Sequence, residues 1–383
     1  MIYLDNAATT PMTENVIKAV ESAMRCDYGN PGTLYDIGKR AKELVQKARR
    51  QVARRMNAED NQIIFTSGGS ESNAMVFFGI TDWMKNSGKD TVVISAIEHE
   101  SVLKSARAMC DRNGFRLLKL GVDQYGDVDL KQLSEFLKKN AVGLVSIMYM
   151  NNEIGTENLS LPEIATVCHK YGALFHTDCV QAFGCLKTDV LELKCDFLSV
   201  SSHKINGPKG VGALYAADKT ILRPLVYGGD AQESGLRGGT ENVPGIVGFG
   251  VACAEMGGIS FCDLSLAFWN AMYTSASKQG IEDHFHVNGG CIGKIISLTV
   301  KGVDNEALTL LLNSRNICVG TGSACNTKEI RVSHVLKAIG VSDEDAMSTI
   351  RISFSRYSTM TETIMAAQEI VECAKLLLDS GRK

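Results

Sequence analysis

Between residues 60 and 216 the chain alternates short apolar runs with stretches whose apolar residues recur at helical spacing. Residues 62–66, 91–95, 115–120, 142–149, 173–177, 196–201 and 210–216 read as strands. The stretch after Ser70, the one running to Ala108, residues 129–139 and residues 161–171 read as helices; Leu130, Leu133, Phe136 and Leu137 share one face of the third. Strands separated by helices pair in parallel and carry helices on both faces of the sheet. The predicted fold class is therefore α/β, with a mostly parallel central sheet flanked by helices. Ligands bind such sheets at the carboxyl ends of their strands.

The pattern changes toward the C-terminus. Residues 295–301 and 350–355 read as strands, residues 305–313 and 333–339 as helices, and residues 362–378 as a long helix. This predicts a smaller α+β domain. The expected division is a large domain over residues 14–257 and a small one over residues 1–13 and 258–383.

Composition narrows the function classes. The chain has 383 residues, 45% of them apolar, 22% charged, with a net charge of -3. Nothing in that balance points to direct nucleic-acid binding or to an anionic membrane surface. No run reaches the roughly 18 apolar residues of a membrane span, and residues 1–10 carry Asp5 and no basic region. A cytoplasmic protein is the expectation. None of the twelve cysteines forms a C-x-x-C pair, so no zinc or cluster site is expected. His284 and His286 form an H-x-H pair that reads as surface strand rather than a metal site.

Five segments carry candidate chemistry. Lys204 follows Ser201-Ser202-His203 at the exit of a strand, and by itself it reads equally as a solvated loop lysine. Asp178 ends the strand over 173–177. It suits a pyridine nitrogen, which it would keep protonated, or a helix N-cap. Thr66-Ser67-Gly68-Gly69-Ser70-Glu71-Ser72-Asn73 joins strand to helix, as a phosphate cradle or a tight turn. Cys325 sits among small polar residues, Thr321 to Thr327, which leave a thiol accessible. Arg351 lies inside an apolar strand, gripping a ligand carboxylate or closing an internal salt bridge.

These segments come in register with Tyr3-Leu4-Asp5-Asn6-Ala7-Ala8-Thr9-Thr10-Pro11, Glu98-His99, Asn151-Asn152-Glu153-Ile154-Gly155 and Arg237-Gly238-Gly239-Thr240-Glu241-Asn242. Together they resemble the group I cysteine desulfurases, the NifS/IscS kind, of the class V aminotransferase superfamily. The resemblance covers nearly the whole chain. It implies an aspartate aminotransferase-like fold of type I and a pyridoxal 5'-phosphate cofactor. It implies that Lys204 holds the cofactor and moves the substrate's Cα proton. Asp178 would pair with the pyridine nitrogen, Gln181 with the ring oxygen, His99 would stack on one ring face and Val180 on the other. Gly69, Ser70, Ser201 and His203 would hold the phosphate, and Thr240 the phosphate of a partner subunit in a homodimer. Asn152 and Arg351 would bind the carboxylate of L-cysteine, and Cys325 would take its sulfur as a persulfide. A sulfur-acceptor protein, such as an iron–sulfur scaffold, would receive it. The small domain would carry the Cys325 loop.

The chain departs from the family's usual pattern in four places. Asn326-Thr327 follows Cys325, Asn206 follows the cofactor lysine where Tyr or His is frequent, Cys179 replaces an Ala, and Cys185 a Lys. None removes a catalytic group. Cys179, beside Asp178, reads as a packed thiol or an oxidation-sensitive one. An aminotransferase or a selenocysteine lyase on the same fold is the competing enzyme reading, and the Cys325 loop argues against the first. A non-catalytic scaffold would be expected to have lost at least one of these groups.

Overall fold

The computed structural model describes residues 1–257, 260–290, 293–321 and 332–381. Its largest sheet has seven strands, in the order Ile63–Thr66, Gly212–Ala216, Phe197–Ser201, Leu174–Asp178, Val142–Ser146, Thr91–Ser95 and Arg116–Leu120. Only Gly212–Ala216 runs against the others: it pairs antiparallel with both neighbours, and every other pairing is parallel. The expected mostly parallel sheet is thus present.

Strand period explains the two apolar layers. Successive side chains point to opposite faces. Ile63, Phe65 and Val93 join a core with the helices Glu14–Cys26, Asp36–Met56 and Val243–Ala254. Ile64, Val92 and Ile94 join the opposite core, with Met75 and Phe77 of the helix Gly69–Gly79 and Val102 and Met109 of the helix Glu100–Asn113. Both faces are covered, and the polar side chains inside the sheet, such as Ser146, His176 and Ser199, bond one another.

The C-terminal part builds an antiparallel sheet in the order Gly320–Thr321, Thr349–Ser353, Ile295–Val300 and Phe285–Asn288. It packs its own core against the helices Cys262–Lys278, Asn305–Ser314 and Met360–Gly381, through residues such as Phe268, Leu308 and Ile370. The N-terminus belongs to both parts. Ile2 and Tyr3 pair in parallel with Ile317 and Cys318, and Leu4 sits in the smaller core, whereas Ala7 sits in the larger one. Among the described residues no helix is long and apolar enough to cross a membrane.

Candidate active site

The carboxyl ends of five strands, at Thr66, Ser95, Ser146, Asp178 and Ser201, open on one edge of the large sheet. The first leads into Gly68, whose φ of 152° suits glycine, and then into the helix Gly69–Gly79. Close packing holds this turn. A Cβ at Gly212 would lie 2.7 Å from the Gly68 Cα, and a Cβ at Gly69 would lie 2.5 Å from Cγ2 of Val180. Glycine at 69 therefore leaves Val180 its place beside the turn. Glu71, in the first helical turn, accepts from Ser67 N at 2.9 Å and from Arg237 Nε at 3.0 Å. Exposed Ser70 and buried Ser201 flank the helix N-terminus, whose free amides suit an anion.

Asp178 is buried, with a side chain fixed by two donors. Asn73 Nδ2 donates to Oδ2 at 2.7 Å, and Val180 N to Oδ1 at 2.9 Å. Asp178 therefore forms a local turn and caps no helix, and its carboxyl group is held where a basic ring nitrogen would face it. The sequence reading did not single out Asn73. No local signal marked it, because its partner lies 105 residues away, although Ser72, Met75 and Val76 around it are buried as well.

Lys204 closes the short 3-10 turn Ser202–Lys204 and is half-buried, not a solvated loop lysine. Its Nζ donates to the carbonyls of Ala7, at 2.5 Å, and Ala8, at 2.8 Å. Loss of hydration, then the cations of Arg351 and Lys294, bring its pKa down to about 7, against the opposing pull of Asp5 and Asp178. A large neutral fraction at physiological pH is what an amine nucleophile and proton carrier needs. His203 bonds through Nδ1 to Thr9 Oγ1 at 3.1 Å, and burial with the neighbouring lysines pushes its pKa to about 4.

His99 is the N-cap of the helix Glu100–Asn113, accepting from Ser101 N at 3.1 Å through Nδ1. Its ring is exposed at the mouth of the site. The surrounding protein displaces enough water to hold its pKa below the ordinary histidine range; Lys204 adds to this and Asp178 opposes it. Beneath it, Glu98 is fully buried. Burial lifts its pKa to about 8, although its Oε1 accepts from Ser95 Oγ and Met148 N. Two adjacent acids are thus separated in role: Glu98 stays protonated, and Asp178 is given charge-stabilising donors.

Gln181 donates from Nε2 to Ala7 O at 2.9 Å, while its buried Oε1 has no partner among the described residues. Arg351 is 8% exposed. Its Nη2 bonds Asp5 Oδ1 at 2.8 Å and its Nη1 bonds Asn152 O at 2.9 Å. Of the two readings left open above, the internal salt bridge is present. Yet Arg351 Nε and Asn152 Oδ1 are both buried without partners among the described residues, so the pair retains hydrogen-bonding capacity there. Asp5 was missed as a site residue because its partner lies 346 residues away. Thr240 is exposed on the segment after Arg237. Cys325 lies outside the described residues.

The remaining candidates are unremarkable in chemistry. Cys179 is buried and its pKa is driven well above the ordinary thiol value, which makes it a packed, inert thiol. His284 bonds Lys301 O at 2.7 Å, and His286 is exposed on its strand.

Comparison with known proteins gives the family and the fold. The family described as "Aminotransferase class-V" matches residues 2–364. The "Cysteine desulfurase IscS" of Methanosarcina thermophila is 37% identical, over 98% of this chain and 92% of its own length. A solved "NIFS-LIKE PROTEIN" superposes with a TM-score of 0.87 at 30% identity, covering 98% of this chain and 100% of its own. A structure of "SspA in complex with cysteine" superposes with a TM-score of 0.80 at 31% identity, covering 94% and 100%. The chain belongs to the class-V aminotransferase family, among its NifS/IscS-like cysteine desulfurases.

Proposed function

We propose that this chain is a pyridoxal-phosphate-dependent desulfurase that converts L-cysteine to L-alanine and leaves the sulfur on Cys325. The observation that carries the proposal is the convergence of a partly neutral Lys204 and a doubly hydrogen-bonded Asp178 at one sheet edge. Those residues fit the cofactor. The Gly68–Gly69 turn suits its phosphate, Asp178 its ring nitrogen, and the orphaned Gln181 Oε1 a polar group on the ring. When bound, the cofactor withdraws electrons from the substrate's α-carbon.

The chain's own groups do the rest. Arg351 Nε and the Nδ2 amide of Asn152 donate to the substrate's carboxylate and so orient it. Lys204 takes the proton from Cα and returns one. His99 covers the ring face and stands within the electrostatic reach of Lys204. The Cys325 thiolate attacks the substrate sulfur. An S–S bond forms at Cys325, the Cβ–S bond breaks, and its electron pair ends in a new C–H bond of alanine. The product on the enzyme is a persulfide, and its terminal sulfur passes to an acceptor protein such as an iron–sulfur scaffold.

Two further elements complete the reading. A homodimer, with Thr240 reaching the partner's phosphate site, accounts for Thr240's exposure and for apolar Tyr28, Leu34 and Tyr227 facing solvent. We divide the chain into residues 14–257 and residues 1–13 with 258–383, a reading supported by the separate core under the C-terminal sheet, although Ala7 packs in the larger core, and we place the enzyme in the cytoplasm. Adding pyridoxal phosphate to the cofactor-free protein tests the core of the proposal. A visible absorbance band should appear and change on addition of L-cysteine; no band, or none responding to cysteine, would overturn it.

A further inference from the structure

A second feature lies behind Lys204. A cavity of about 30 Å3 opens between Lys204, Lys294 and Arg356, with walls of Phe183, Ile205, Met256 and Phe261. It has room for about two water-sized species. Of the residues assigned above to cofactor or substrate, it touches Lys204 alone. No described residue lining it is acidic.

The three cations are not equally provided for. Arg356 bonds Glu255 O at 2.6 Å and lies 3.7 Å from Glu255 Oε2. Lys204 rests on two carbonyls. Lys294 is 5% exposed, and among the described residues its ammonium makes one hydrogen bond, a long one of 3.4 Å to Gln181 O. Among the described residues no carboxylate lies within ion-pair distance of it. Two of its three N–H donors are left, beside apolar walls. A buried ammonium without a counter-ion is strongly unfavourable, so such groups bind an anion or give up the proton. The cavity offers the space for the first solution.

We propose that this cavity binds a small monovalent inorganic anion, of chloride size, with Lys294 as its main ligand and Arg356 and Lys204 as flanking cations. Its volume suits a halide-sized ion. The apolar walls strengthen the attraction by lowering the local dielectric. A bound anion would also offset the repulsion that Lys294 exerts on Lys204, which ties the site to the reactive amine without entering the reaction. The inference stands on the cavity and Lys294, and so survives or fails apart from the desulfurase reading.

Bromide is the probe. Crystals of the cofactor-loaded enzyme soaked in sodium bromide should show an anomalous peak within about 3.5 Å of Lys294 Nζ. In solution, chloride at constant ionic strength, balanced with gluconate, should raise the melting temperature saturably. Lys294→Met should weaken that chloride effect at least tenfold. Absence of a peak in the cavity, or bromide at the surface alone, would overturn the site. So would an undiminished chloride effect in Lys294→Met. Should that variant fail to fold, the wild-type bromide peak decides by itself.

Discussion

Glu98 allows a quantitative test of how the site separates its two acids. Its carboxyl is fully buried, accepts two hydrogen bonds at Oε1 and none at Oε2, and has its pKa lifted from 4.5 to about 8. A lift of that size corresponds to an energy on the order of 5 kcal/mol between the charged and neutral forms. The unfolded chain releases this proton near pH 4.5 and the folded chain near pH 8. The folded state therefore binds more protons in between, and this group lowers stability as pH rises from about 4.5 to about 8. Glu98→Gln keeps the shape and both acceptor bonds while removing the titration. It should be near neutral at pH 5 and stabilising at pH 8.5, by up to a few kcal/mol. His176 acts in the opposite direction. Buried between Ser146 and Ser199, its pKa is pushed down to about 3, so it favours the fold as pH rises toward 6.5. That contribution is common to both proteins and cancels in the difference. Thermal unfolding of cofactor-free wild type and Glu98→Gln across this pH range is the assay. A difference that does not grow with pH, or a variant less stable at pH 8.5, would refute a protonated Glu98.

Three further substitutions probe the neighbouring groups. Lys204→Ala should abolish the visible cofactor band in absorbance spectra; a retained band with full activity would contradict its assignment. Asn73→Ala removes the donor to Asp178 Oδ2 and should weaken pyridoxal-phosphate affinity about tenfold, since hydrogen bonds to charged groups contribute roughly 1.5–3 kcal/mol; unchanged cofactor titration would exclude its role. Arg351→Lys loses the Nε donor and the planar fork, and should raise KM for L-cysteine by about tenfold or more; an unchanged KM would count against carboxylate binding there.

Much of the fold was legible because local period carries it. The helix expected over 129–139 is observed as Leu130–Lys139, with Asp129 as its N-cap. The strand expected over 142–149 ends at Ser146, although Ile147 N and Tyr149 N still bond His176 O and Asp178 O beyond the regular ladder. The helix Val243–Ala254 is apolar around most of its circumference and rich in small residues, so no period marks it in the sequence. The structure supplies the reason for those residues: a Cβ at Gly250 would lie 2.7 Å from the Ala48 Cα, so two helices approach closely there. Lys204, Asp178 and His99 stood out because each follows a strand in a recognisable motif. Asp5, Asn73 and the carbonyls of Ala7 and Ala8 did not, because their roles are created by partners 105 to 346 residues distant. No local pattern encodes such pairings.

The central claim is sulfur removal from L-cysteine by Cys325, and one comparison tests it most directly. Cofactor-loaded wild type and Cys325→Ala would each be incubated with L-cysteine and a thiol reductant, and alanine and sulfide measured together. The account predicts equimolar alanine and sulfide from the wild type and neither from Cys325→Ala. Undiminished turnover by Cys325→Ala, or a wild type whose cofactor spectrum responds to other amino acids while no alanine forms, would contradict it.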